Sequence, residues 1–199
     1  DGIPAGAFGT WKEEKKHHWR ADIGRELTAV ESMKVAERLR IAAELRDRQR
    51  EQRHQETAES CQQLWEEADP APEDHPYLRK KQVGGHGSRI SKDGKLMLPL
   101  FTSTGELSTL QYIAESGKKL FHSGGKAGCC FWWLGDLESG KRVYIAEGYA
   151  TAASIHEVTG EPVVIAYNAK NLIPVTSSIR TMLPTRELII VADNDESGT

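Results

Sequence analysis

Between residues 142 and 192 short apolar runs alternate with longer stretches of helical pattern, and few architectures accommodate that rhythm. Arg142–Ala146 reads as a strand, Tyr149–Thr159 as a helix ending at Gly160, and 162–167 as a second strand. Residues 171–182 are helical in pattern but interrupted by Pro174, and 187–192 form a third strand. Strands alternating with helices predict a parallel sheet closed by right-handed βαβ crossovers. Ligands of open parallel sheets gather at the carboxyl ends of the strands. Three acids stand there. Glu147 directly follows the first strand, and Asp193 and Asp195 follow the third, 46 residues downstream of Glu147. The i, i+2 spacing of Asp193-Asn194-Asp195 lets both carboxylates reach one hard cation such as Mg²⁺, which takes oxygen ligands. Gly148 leaves space beside Glu147, and Gly198 lets the chain bend after Asp195. An acid at a strand end is often an ordinary helix cap, but two such sites on one edge of one sheet favour a shared centre.

The rest of the chain is organised differently. Residues 1–27, with Phe8, Trp11 and Trp19, read as a partial β segment, a small hairpin or an extended remnant. Thr28 and Glu31 make a capping box, and no Gly or Pro interrupts the chain from there to Ala68. A long charged N-terminal helix over 28–69 is expected, about 60 Å if fully helical. Its ends are apolar and its middle, 46–57, is almost entirely polar, which suits a helix that projects or spans. Asp69-Pro70-Ala71-Pro72 ends it. From 75 to 141 short strands and Gly-containing turns take over, with Leu96–Phe101 and Leu107–Ile113 expected to pair antiparallel across 102–106. Phe131-Trp132-Trp133-Leu134 is a further strand or core segment.

Composition narrows the class. The 199 residues are 28% charged and 38% apolar, enough for one or two domains. No apolar run approaches the roughly 20 residues of a membrane span, and no N-terminal signal pattern is present. Three cysteines make neither a disulfide framework nor a zinc ribbon, so a soluble cytoplasmic protein is expected. Residues 79–126 carry nine basic against three acidic side chains, +6, and 127–199 five against nine, −4. That division suits a polyanion held by one part and cations by the other.

Glu147-Gly148-Tyr149-Ala150-Thr151-Ala152 and Asp193-Asn194-Asp195-Glu196-Ser197-Gly198 resemble the two signature motifs of the Toprim fold. Bacterial-type primases, type IA and type II topoisomerases and some nucleases share that fold. The glutamate form with Tyr-Ala-Thr-Ala resembles the primases of plasmids, phages and integrative elements. Upstream, Leu98-Pro99-Leu100, the Gly105 turn, Gly117-Lys118-Lys119-Leu120-Phe121 and Gly124-Gly125-Lys126-Ala127-Gly128 are similar to the basic subdomain that precedes Toprim in primases. His75-Pro76-Tyr77-Leu78 and the basic run behind it resemble its start. The resemblance covers residues 75–199. It implies an α/β architecture: a Toprim-like parallel sheet with flanking helices over 142–199, preceded by a small α+β basic subdomain over 75–141. The family usually supplies a further acid downstream and a zinc module upstream. Neither is in this sequence, so a fragment is expected, with its Toprim domain truncated at the C-terminus.

The resemblance implies DNA replication chemistry: a DNA-directed RNA polymerase that makes primers on single-stranded DNA from NTPs with Mg²⁺ or Mn²⁺. Asp193 and Asp195 would anchor metal, and Glu147 would bind a second metal or act as general acid/base. Lys118, Lys119 and Lys126 would neutralise phosphates without reading bases. Asn168 and Asn171, after the second strand, are candidates for contact with metal-bound water or nucleotide. A mobile-element source and a replicative helicase domain or protein as partner are expected, and no membrane. A Toprim nuclease or topoisomerase module is the alternative, although the basic subdomain favours the primase and no catalytic tyrosine can be assigned. A non-catalytic nucleic-acid-binding or docking module, with the long helix as arm, is another. Gly135…Gly140-Lys141 is rejected as a P-loop, since Arg142 stands in the Ser/Thr position and a strand follows. His17 and His18 read as solvated, Cys129-Cys130 as core, and Trp132 and Trp133 as buried.

Overall fold

The computed structural model describes residues 3–8, 17–22 and 24–192, in two compact units divided after Gln52. In the first unit β1 (Ala5–Phe8) pairs antiparallel with β2 (His17–Arg20), the hairpin read from the sequence. Trp11 lies outside the described residues. The capping box then opens α1 (Ala29–Glu67): Thr28 N–H donates to Glu31 Oε2 at 2.9 Å, and Glu31 N–H to Thr28 Oγ1 at 3.3 Å. Arg25 grips the same carboxylate at 2.7 and 2.8 Å, and these bonds hold Glu31 far below the usual carboxylate range. With 39 residues α1 is about 58 Å long. Exposed pairs at helical spacing, Glu37–Arg40, Arg40–Glu44 and Asp47–Arg50, lace it from its first half into its polar middle. Its described buried residues are Thr57 and Cys61 alone, whereas Val30, Met33 and Leu45 near its start are exposed.

The second unit contains two sheets. After α1 come β3 (Asp69–Pro70), α2 (Pro76–Lys81), β4 (Arg89–Ile90), β5 (Leu96–Phe101), β6 (Leu107–Ile113) and β7 (Lys119–Phe121). The five strands form an antiparallel sheet in chain order. Alternation along β5 divides the packing. Met97 joins Leu107, Leu110 and Cys61 under the end of α1, and Leu96, Leu98 and Leu100 face the second sheet. Arg89 closes the C-terminus of α1: its guanidinium lies 4.8 Å over the Trp65 ring and donates to the carbonyls of Trp65, Glu66 and Ala68.

The second sheet is built from β8 (Trp132–Leu134), β9 (Arg142–Ala146), β10 (Val163–Ile165) and β11 (Glu187–Val191), with α3 (Tyr149–Thr159) and α4 (Ala169–Met182) as the crossovers. Its order is β11-β9-β10-β8. β9, β10 and β11 are parallel, as the alternating pattern predicts, and β8 is added antiparallel at the edge beside β10. Ala152 and Ala153 of α3 pack with Val163 and Ile165, and Leu172, Val175 and Ile179 of α4 pack with Val143, Ile145 and Val164, so both faces are covered.

Two local expectations change. α4 is continuous through Pro174. The proline removes one backbone donor, while the helix start is fixed by Asn168, whose side chain accepts from Asn171 N–H at 3.1 Å. Cys129 is exposed, at φ +62°, and Cys130 alone of the pair is core. No described helix is long and apolar enough to cross a membrane.

Candidate active site

Register places the site. Ala146 ends β9 opposite Ile165 of β10 and Val191 of β11. Glu147 therefore leaves the sheet at the edge where the strand preceding Asp193 and Asp195 also ends. Asp193, Asp195 and Gly198 lie outside the described residues. Among the described residues no three His, Cys, Asp or Glu side chains converge as a metal cluster.

Glu147 is half-buried and lines a cleft of about 390 Å³ with Tyr77, Lys80, Lys81, Lys119 and Thr151. Gly148 also opens onto it. A Cβ built there would stand 3.2 Å from Lys119 Nζ, so the missing side chain makes room for the ammonium. Gly148 is also the N-cap of α3. It offers no side-chain cap, and the first turn holds no acid. The positive end of the helix dipole thus opens at a cleft that already holds three lysines. The cleft is cationic around one carboxylate.

The lysines of α2 reach the cleft because two side chains of α3, Tyr149 and Glu157, tie down the loop behind that helix. The Tyr149 hydroxyl reaches the carbonyls of Gly84 and Gly85, both at 2.7 Å, and its ring stacks on Trp132 at 6.1 Å. Burial pushes the Tyr149 phenol far up, so it stays a donor. Glu157 Oε1 accepts from Gly84 N–H at 2.7 Å and pairs with His86 Nε2 at 2.5 Å. Burial pushes the Glu157 carboxyl up, but the Gly84 N–H and His86 outweigh it and hold it below the ordinary value. At the start of α2, His75 Nδ1 accepts from Tyr77 N–H while Nε2–H donates to Gly94 O at 3.1 Å, and Pro76 supplies the first helical residue.

The lysines named from the sequence divide. Lys119 lines the cleft, and Lys118 and Lys126 do not. Lys80, Lys81 and Thr151 were not singled out as ligands. The sequence signal for the first two was the basic run after His75-Pro76-Tyr77-Leu78, which the structure makes the last turn of α2. Asn171, a candidate for contact with nucleotide, is turned into the protein. It is buried, its Oδ1 accepts from Cys129 N–H at 2.8 Å, and its Nδ2 donates to Cys130 O and Ala166 O at 2.9 and 2.8 Å. It clamps the segment before β8 to the end of β10, and Asn168 is occupied as the cap of α4. In the 135–141 loop, Lys141 N–H donates to Glu161 Oε2 at 3.1 Å, so an acid stands where a P-loop would turn its backbone to a phosphate.

Residues 142–199 match the Toprim domain family. The chain is 30% identical over 200 residues to a protein named DNA primase TraC from Escherichia coli, an alignment that covers 98% of this chain and 19% of that protein. A second Escherichia coli protein of the same name is 30% identical over 204 residues, covering 98% and 14%. Residues 142–199 are thus similar to Toprim domains, and the chain as a whole resembles a region of the TraC primases. Its likeness to the TraC proteins runs through the basic subdomain and the long helix as well. It spans about a fifth or less of the length of these relatives.

Proposed function

We propose that this chain is the catalytic region of a DNA primase, which joins ribonucleotides on single-stranded DNA by divalent-metal-dependent nucleotidyl transfer. The observation that carries the reading is the shared edge: β9 and β11 end side by side, and Glu147 at that edge opens onto a cleft bearing Lys80, Lys81 and Lys119. Glu147, Asp193 and Asp195 are hard oxygen donors and suit Mg²⁺ or Mn²⁺. When bound, such an ion lowers the pKa of the attacking 3′-hydroxyl and stabilises charge on the attacking and leaving oxygens.

The chain's own residues do the rest. The three lysines and the open N-terminus of α3 neutralise the triphosphate and orient it toward the sheet edge. A bond forms from the 3′-oxygen to the α-phosphorus, the bond to the β-phosphate oxygen breaks, and pyrophosphate leaves with its charge held by the same lysines. Glu147 either accepts the hydroxyl proton or serves as a metal ligand, and both roles require its carboxylate at this edge. Single-stranded DNA and NTPs are the partners this reading requires, with a replicative helicase as the expected protein partner and the cytoplasm as the expected location.

Incubation of the purified protein with labelled NTPs and single-stranded DNA, with and without Mg²⁺ or Mn²⁺, tests the reading. Metal-dependent, template-dependent primers are expected. Nicking or relaxation of DNA without primers would point instead to a nuclease or topoisomerase, and neither activity would leave a binding module.

A further inference from the structure

The edge strand β7 runs across the carboxyl ends of the second sheet. Lys119 and Phe121 are two residues apart on it, hence on one face and about 6.6 Å apart along the strand. Each meets a different strand end. Lys119 Nζ stands at Gly148, just after β9, and the Phe121 ring lies 6.2 Å from the ring of Tyr167, just after β10, at 64°. The ends of β9 and β10 are in register, Ala146 beside Ile165. β7 thus lays a cation and an aromatic ring side by side along the edge that carries Glu147.

A single exposed aromatic is ordinary on a protein surface. Phe121 has a built seat. It is 38% exposed, while Tyr167 against it is 6% exposed and donates its hydroxyl to Pro99 O. Tyr167 is also held at φ +71°, a left-handed conformation that is costly for a tyrosine and persists only where the surroundings enforce it. The fold therefore fixes the ring that supports Phe121 and leaves Phe121 itself exposed. The neighbourhood is complementary to a polyanion, since residues 79–126 carry a balance of +6.

We propose that Phe121 is a stacking platform for a nucleobase whose phosphate lies toward Lys119. Proteins that hold single strands combine a cationic track with aromatic faces on which bases stack, a contact that tolerates any sequence. The base comes from the single-stranded template or from the incoming nucleotide, and the chemistry is the same in both. This inference rests on the proposed function but can fail without it, because phosphates can be held by lysines alone.

The test measures affinity of the purified protein for a fluorescent single-stranded oligonucleotide, for an abasic strand of equal length, and for ATP. Phe121→Ala and Phe121→Leu, which keeps apolar volume without a π-face, should weaken base-containing ligand by roughly five- to hundredfold. Phe121→Trp should restore affinity, with its fluorescence quenched on binding. The abasic strand should be little affected by any of the three, and Lys119→Ala should weaken both strands. A loss on the oligonucleotide identifies the base as the template's, and a loss confined to ATP identifies it as the nucleotide's. Unchanged affinity in Phe121→Ala and Phe121→Leu for both base-containing ligands, or equal loss on ordinary and abasic strands, overturns the platform while leaving the lysine cleft intact. Binding of neither DNA nor ATP by the unaltered protein overturns both the platform and the proposed function.

Discussion

The two sheets of the second unit contribute opposite charges to one cleft, and they do so by different structural means. The parallel β9, β10 and β11 deliver functional groups from their ends, where the chain leaves the sheet and a helix begins. Glu147 is one residue past β9, and the N-terminus of α3 opens just after it. The antiparallel sheet delivers Lys119 from the body of an edge strand, while Lys80 and Lys81 come from the last turn of the helix inserted between β3 and β4. Strand ends concentrate groups that hairpins would scatter, whereas an edge strand can lie across several ends at once. That is why one short strand, β7, meets both Gly148 and Tyr167.

The largest expected effect tests the acidic side. Glu147→Gln keeps shape and removes charge, so primer synthesis should fall by about a hundredfold or more while the melting temperature barely moves. A variant that unfolds would make Glu147 a structural cap. Second comes the structural counterpart on the same edge. Asn171→Ala strands the part-buried Cys129 N–H and the buried carbonyls of Cys130 and Ala166, and should cost about 3 kcal/mol in denaturant unfolding. Asn168→Ala loses a cap and should cost only about 1 kcal/mol.

The basic side should respond in affinity rather than in folding. Replacing Lys80, Lys81 and Lys119 together with Ala should flatten the log–log salt dependence of single-strand binding by about 2, at roughly 0.7 per phosphate contact. The pair Lys118 and Lys126, which do not line the cleft, should matter less. Equal effects of the two sets would dissolve the distinction between cleft and surface lysines.

The smallest effect concerns the tie between α2 and α3. Glu157 is held below its ordinary value in the folded protein, chiefly by Gly84 N–H and His86 against the effect of burial. Its contribution is therefore complete above roughly pH 4.3, the unfolded value, and is lost as pH falls through the lower folded value. The carboxyl is partly exposed, so the contribution should be under about 1 kcal/mol. Unfolding as a function of pH should show the acid loss in the unaltered protein and a flatter acid limb in Glu157→Gln.

Local signals were readable, and of the tertiary ones only the edge that parallel crossovers dictate. The β5–β6 hairpin, the capping box at Thr28 and Glu31, and α3 with Gly160 in the left-handed C-cap all follow from patterns spanning a few residues. The common edge of Glu147 and β11 was also legible, because parallel crossovers leave little freedom in where strand ends fall. Nothing local gives Trp132–Leu134 a direction, and its antiparallel place beside β10 depends on the connection to β9. Asn171 looked like a ligand because it follows a strand, yet its carboxamide is turned inward by the chain at 127–130, 41 residues away at Cys130. Lys80 and Lys81 meet Lys119 only through the Tyr149 and Glu157 ties, a meeting that sequence spacing does not express.

Mn²⁺ titration of the unaltered protein, Glu147→Gln and the double variant Asp193→Asn/Asp195→Asn, followed by calorimetry and by the electron paramagnetic resonance of free Mn²⁺, tests the shared edge most directly. One metal-binding event that both variants abolish or weaken in parallel is the predicted result. Binding lost in the aspartate variant but unchanged in both stoichiometry and affinity in Glu147→Gln would place Glu147 outside the metal centre, and binding untouched in either would contradict a metal site at this sheet edge.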